Sequence, residues 1–363
     1  MRDKKDLFEP AKLGSLNLKN RFIMAPLTRS RSDEKGLANK MMAKYYAQRA
    51  SAGLIISEAT NISPYAYGYA FTPGIYTDEQ VASWKQVTQA VHDKDGKIFC
   101  QLWHCGRISH VDLMPNQEKP LSASAVKADG EAFTRDGKKD ASQPKAMSQQ
   151  DIKNTIKDYV HAAKCALEAG FDGVEIHSAN GYLLHQFIAN NSNQRTDEYG
   201  GAVENRTRFT LEVVQAVLEV CDAKKVGIRL APVSGFNDVQ SEDPQRDYEY
   251  LVEKLNDFGL AYVHIIEGNT METRDTDKNF DYGRLKELSN SSYMSNNCLD
   301  LKTAQSLYED EKADFVCFGR KFIANPDLVS RFEQNASLND LREEGMYGGD
   351  EEGYTDYPFM NES

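Results

Sequence analysis

The chain has 363 residues, 40% of them hydrophobic, enough for one large α/β core or for two smaller ones. Its formal net charge of −12 argues against a nucleic-acid partner, because binding along a phosphate backbone requires a basic face. No apolar run approaches the roughly 18 residues of a membrane helix, and Met1-Arg2-Asp3-Lys4-Lys5-Asp6 is too charged for a secretory leader.

From the N-terminus onward, short apolar and β-branched runs recur at 21–28, 54–60, 97–104, 173–179, 226–232, 262–268, 292–297 and 315–320. Several are almost continuously apolar, as strands buried on both faces are. Helical periodicity lies between them, at 41–52, 78–92, 149–169, 203–221, 243–258, 281–288, 302–309 and 326–332. Ser148 with Asp151 three residues later is a helix-start signal. Eight strand–helix units predict an α/β fold, a (β/α)8 TIM barrel, as a single domain over 1–363. An open doubly wound sheet is the alternative. The polar stretch 127–147, after the third strand, is long for a connection in a compact domain. It reads either as a loop capping the barrel mouth or as an unstructured insertion.

The six cysteines, Cys100, Cys105, Cys165, Cys221, Cys298 and Cys317, show no Cys-x-x-Cys spacing, and most sit in apolar runs. They read as buried, reduced thiols of a cytoplasmic protein. Asn361-Glu362-Ser363 carries no targeting or lipidation signal.

Residues at strand C-termini converge on one face of a barrel. Here they are Pro26, Leu27 and Thr28; Ala59; Gln101, Trp103 and His104; His177, Asn180 and Tyr182; Arg229; and Gly319 with Arg320. His177-Ser178-Ala179-Asn180-Gly181-Tyr182 is the most informative stretch. An imidazole, an amide and a phenol can each donate a hydrogen bond without negative charge, which suits polarising an oxygen and delivering a proton. Carboxylates are sparse. Glu58, Glu175 and Glu267 lie near strand ends without any pattern that supports paired-acid hydrolysis. Gly319-Arg320 reads as an anion site, with an arginine salt bridge closing the rim as the alternative. There is no Gly-x-Gly-x-x-Gly, no Walker loop, no metal-ligand spacing and no serine nucleophile elbow. A phosphate site without a dinucleotide fold points to a mononucleotide or another phosphorylated cofactor.

Taken together, the chain resembles the Old Yellow Enzyme family of flavin-dependent ene-reductases over nearly its whole length. The pieces that carry the resemblance are Asn20 through Arg29, Gln101-Leu102-Trp103-His104, His177 through Tyr182, Asn193 through Gly201, and Phe318-Gly319-Arg320. The resemblance implies FMN at the barrel mouth and NADPH or NADH as reductant in a ping-pong reaction. The substrate would be an α,β-unsaturated carbonyl or nitro compound. Pro26, Leu27, Thr28, Ala59 and Gln101 would contact the flavin ring, and Arg229 would sit by its N1/O2 edge. Gly319 and Arg320 would hold the phosphate. His177 and Asn180 would bind the substrate oxygen, Tyr182 would donate the proton, and Tyr69, Trp103 and Tyr347 would line the pocket. The sequence departs from the family at strand seven, where Ser295-Asn296-Asn297-Cys298 replaces the usual glycines. The backbone N–H groups of Asn296 and Asn297 remain able to reach the phosphate, since asparagine tolerates positive φ. The remaining expectations are no nucleic-acid or membrane partner, no metal, and a monomer or homodimer. A non-catalytic flavin-binding or sensing protein is the alternative function, and a lyase or aldolase would need a Schiff-base lysine or paired acids at the rim.

Overall fold

Eight parallel strands close into a barrel in this computed structural model, which describes residues 6–276 and 279–360. In chain order they are Phe22–Met24, Leu54–Ile56, Ile98–Trp103, Gly173–Ser178, Val226–Leu230, Tyr262–Ile266, Ser292–Asn296 and Phe315–Phe318. Each pairs with its successor, and the ring closes where Val316 aligns with Phe22 and Phe318 with Met24. All eight expected strands are present, each ending up to four residues before its apolar run does. The residues past each strand end supply the mouth. The charged segment 1–5 and the terminal 361–363 lie outside the described residues.

Alternation along the strands explains two cores. Phe22, Met24, Ile55, Val174, Ile176, Val226, Ile228, Val263, Val316 and Phe318 pack outward into one cluster with the helices. Ile23, Leu54, Ile56, Phe99, Tyr262, Met294, Phe315 and Cys317 pack together inside the barrel. Leu13 and Leu18 join that inner cluster from a hairpin, Ala11–Leu13 with Leu16–Leu18, which the sequence reading did not anticipate. Ser15 N–H donates to the Lys224 carbonyl (3.2 Å), seating the hairpin at the end of the barrel opposite the site. Further along the same strands, the alternation that put Phe99 and Tyr262 inside puts Gln101, Glu175, His177, Arg229 and His264 there. Apolar below and polar above is what aims the chemistry at one end.

The helices follow the periodic segments. Asp78–His92 starts on a Thr77–Gln80 capping box, and Gln149–Glu168 on the Ser148–Asp151 box. The 203–221 segment is two helices, Val203–Arg206 and Arg208–Leu218. The stretch after strand three is an ordered cap. Within it Glu131–Thr134 pairs with Gly137–Asp140, and Phe133 exchanges backbone hydrogen bonds with Gly68 and Ala70 (3.1 and 2.6 Å).

Gly227 shows how tightly the inner layer is filled. A Cβ there would stand 2.1 Å from Tyr262 Cζ. Gly227→Ala is therefore expected to destabilise the protein by about 1–3 kcal/mol, the usual cost of overpacking, read as a lowered urea midpoint. An unchanged midpoint would mean that the Tyr262 ring moves aside at no cost.

Candidate active site

The site begins with a buried polar layer. Glu175 has no solvent exposure; it accepts from Gln101 Nε2 at 2.7 Å and from His264 Nδ1 at 2.8 Å. Arg229, one strand over, donates to Asn296 Oδ1 at 2.8 Å, while its buried Nε has no protein partner. Asn296 Nδ2 donates in turn to the Cys317 carbonyl at 3.0 Å.

Above this layer strand four breaks into a turn. Asn180 and Gly181 both take positive φ (55° and 70°). A Cβ at Gly181 would lie 2.6 Å from the Phe236 carbonyl oxygen, so the turn packs closely on the loop after strand five. The Asn237 amide donates to the Asn180 carbonyl at 2.8 Å, and Asn180 Oδ1 accepts from the Thr270 hydroxyl at 2.8 Å. His177 Nδ1 accepts the Ala179 N–H at 3.3 Å, which leaves the ring proton on Nε2. Burial, reinforced by Arg229, holds the imidazole pKa well below its ordinary value, so the ring is a neutral donor. Tyr182 stands edge-on to Trp103 (4.9 Å, 86°) and to His177 (5.1 Å, 80°). Its hydroxyl donates to the Tyr69 hydroxyl at 3.1 Å. Burial pushes the phenol pKa well above 10, so it keeps its proton across the neutral range.

Two adjoining clefts open over these groups. One, about 260 Å³, is lined by Pro26, Leu27, Thr28, Ala59, Tyr69, Gln101, Trp103, His177, Asn180, Tyr182, Arg229, Arg320 and Tyr347. The other, about 350 Å³, is lined by Asn296, Asn297, Gly319 and Lys321 and shares Pro26, Leu27, Arg229 and Arg320 with the first. Every strand-end residue singled out from the sequence as a site candidate, except His104, thus borders one cleft or both. A larger cleft of about 610 Å³ lies near the start of Gln149–Glu168. It mixes Lys119, Lys145 and Lys157 with Glu118, Asp151 and Asp158, and holds none of His177, Asn180 or Tyr182.

The Asn296-Asn297-Cys298 turn replaces glycine flexibility with side-chain bonds. Asn297 has φ 97° and Cys298 φ 48°. The Asn297 amide donates to the carbonyls of Glu267, Asn269 and Thr273, which ties its side chain to the loop after strand six. Arg274 clamps the same turn through the Asn297 carbonyl (3.0 Å) and Glu267. Cys298 corrects one expectation: it is exposed, because the turn lifts it out of the strand, whereas the other five cysteines are buried. The carboxylates are structural. Glu58 accepts from Tyr46 and the Arg29 N–H, and Glu267 from Tyr293. His104, expected at the mouth, points away from the clefts over the barrel and borders the larger outer one.

Other side chains at the mouth were not found from the sequence. Phe133 on the capping hairpin stacks on Tyr69 (5.2 Å) and approaches Tyr347 (6.4 Å). Arg29 and Arg31 bind the carbonyls of Gly345, Met346, Asp350, Glu352 and Gly353, which fixes the chain that carries Tyr347. Thr270, Met271 and Phe236 also line the cleft. Neither periodicity nor strand-end counting marks these positions, because they sit in long loops.

The model of the NADH:flavin oxidoreductase / NADH oxidase family matches residues 6–339. The chain belongs to this family. It is 42% identical to 12-oxophytodienoate reductase 1 of Oryza sativa subsp. japonica, covering 98% of this chain and 93% of the relative. It is 40% identical to a probable flavin mononucleotide-dependent alkene reductase of Leishmania infantum, covering 98% and 97%. Among solved structures, morphinone reductase superposes with a TM-score of 0.95 at 46% identity, covering 99% and 97%. The Old Yellow Enzyme homologue from Zymomonas mobilis gives 0.94 at 39% identity, covering 98% and 99%. The resemblance to the Old Yellow Enzyme family therefore holds. This family member is an enzyme, an FMN-dependent oxidoreductase that uses a reduced nicotinamide.

The residues present suit FMN. Pro26, Leu27, Thr28, Ala59 and Gln101 would contact a flavin ring, and Arg229, whose buried Nε has no protein partner, would be free to donate to it. The second cleft, lined by Asn297, Gly319, Arg320 and Lys321, would suit a phosphate. Arg320 meanwhile donates to the Met271 carbonyl at 2.7 Å. Arg320→Ala is expected to lose FMN on dialysis and to make melting strongly dependent on added FMN. Retention equal to wild type would place the phosphate elsewhere.

Proposed function

We propose that this enzyme reduces the activated C=C bond of an α,β-unsaturated carbonyl or nitro compound. The observation that carries the reading is the convergence of two uncharged donors, His177 Nε2–H and the Asn180 amide, and a protonated phenol, Tyr182, on one cleft. FMN, held by Pro26, Leu27, Thr28, Ala59, Gln101, Arg229, Gly319 and Arg320, would supply the hydride chemistry between the reduced nicotinamide and the substrate β-carbon. His177 and Asn180 bind the substrate oxygen and stabilise the charge that builds on it, which is the condition for rate acceleration. Because the imidazole is neutral, it donates without giving up its proton. Tyr182 holds the proton for the α-carbon; its hydroxyl, which donates to Tyr69, would turn that hydrogen to the substrate. Trp103, Tyr69 and Phe133 wall off water on one side, and Tyr347 stands at the exposed rim.

Six free cysteines, five of them buried, support a reducing compartment, and we place the enzyme in the cytoplasm. No helix among the described residues is long and apolar enough to cross a membrane.

The test is anaerobic turnover of the FMN-loaded protein with NADPH and 2-cyclohexenone, with the saturated ketone identified by mass. Oxidation of NADPH without any saturated ketone would contradict the reading. His177→Ala should weaken binding of para-substituted phenols, whose oxygen mimics the enolate, and should slow enone reduction by ~10²–10³. Equal phenol affinity in the two proteins would remove His177 from that role.

A further inference from the structure

The amide of Asn180 presents either an N–H or an oxygen to a ligand, depending on which way it is turned. The loops after strands five and six decide the matter. Ser234 Oγ lies 3.2 Å from the Thr270 N–H, 3.4 Å from the Phe236 N–H and 2.8 Å from Thr270 Oγ1. Thr270 Oγ1 lies 2.8 Å from the Asn180 amide oxygen. A hydroxyl has two lone pairs and one hydrogen. Two backbone N–H groups occupy both lone pairs of Ser234, so Ser234 must donate to Thr270. Thr270 then accepts from Ser234 and has its own hydrogen left for Asn180. The reverse arrangement, with the amide N–H donating to Thr270, makes Thr270 accept from both neighbours and leaves its own hydrogen without either of them. Ser234 is buried and Thr270 half-buried, so a hydrogen stranded on Thr270 carries a cost that the observed arrangement avoids.

We propose that Thr270, backed by Ser234, is a positioning residue that turns the Asn180 amide so that its Nδ2–H₂ group, and not its oxygen, faces the substrate. The chain runs one way, from two backbone N–H groups through two hydroxyls to the amide oxygen, and each donor polarises the next. A substrate oxygen thus meets a donor already turned toward it, with no reorientation at the moment of reaction. Ser234 borders neither cleft, and Thr270 acts through the Asn180 amide. The inference rests on the reading of Asn180 as a donor to the substrate oxygen.

The experiment titrates para-substituted phenols into FMN-loaded protein and follows the long-wavelength charge-transfer band. Thr270→Val keeps the side-chain shape and removes the donor. Phenol affinity should fall about tenfold, the scale of one mispaired hydrogen bond, while melting temperature and FMN retention stay at the wild-type level. Thr270→Ser restores the hydroxyl and should restore affinity to within about twofold, which a purely structural role would not require. Asn180→Ala, run in parallel, separates the two claims. If it weakens phenol binding and Thr270→Val does not, the positioning role is wrong. If Asn180→Ala binds phenols like wild type, the reading beneath it is wrong. Should Thr270→Val fail to hold FMN, Ser234→Ala takes its place: a several-fold loss of affinity supports the relay, and unchanged affinity overturns it.

Discussion

Glu175 has no solvent exposure and sits between two donors, Gln101 on strand three and His264 on strand six. A carboxylate buried without partners is expensive enough to forbid the fold, so these contacts must form together. They are possible only in one register. Glu175 aligns with Gln101 on one side, and Arg229 aligns with His177 on one side and His264 on the other. A slip of one residue would turn the polar set into the helix layer and the valines and isoleucines into the barrel. The same register that satisfies Glu175 places His177 two residues further along, at the mouth, with its donor atom toward the cleft. The charge in the core and the chemistry at the rim share one structural cause.

That arrangement also separates this site from acid–base hydrolysis on a barrel. The carboxylates near the mouth are each held by fixed partners, and burial raises the Glu58 pKa to about 7. What faces the cleft is uncharged or cationic: an imidazole, an amide, a phenol and the guanidinium of Arg229. Such a lining stabilises negative charge arriving from elsewhere, as hydride transfer delivers it, and does not generate a nucleophile of its own. The enclosure is supplied by parts remote in sequence: the hairpin bearing Phe133, and the C-terminal chain held by Arg29 and Arg31.

The barrel was legible because parallel strands buried on both faces leave apolar runs, and because Ser148 with Asp151 marks a helix start. The cleft residues were legible where they end strands, as with Gln101, His177 and Arg229. The departure at Asn297 was legible too: a residue tolerant of positive φ stands where φ is 97°. What the chain did not reveal lies in loops and long-range packing. Leu13 and Leu18 plug the barrel from a hairpin too short to show periodicity. Phe133 reaches the site through backbone pairing with residues 68–70, and Thr270 through a hydroxyl relay between two loops. Cys298 sits on a strand-end turn whose conformation decides its exposure. Each depends on tertiary placement that no local pattern records.

On the proposed function, Tyr182 serves only one half of the catalytic cycle, as a proton donor. Tyr182→Phe removes only the hydroxyl and leaves the ring packed against Trp103 and His177. Stopped-flow measurement of the two half-reactions tests it directly. Flavin reduction by NADPH should proceed near the wild-type rate, reoxidation by an enone should slow greatly, and reoxidation by a quinone should persist. Equal slowing of both halves, or no slowing of either, would contradict the account.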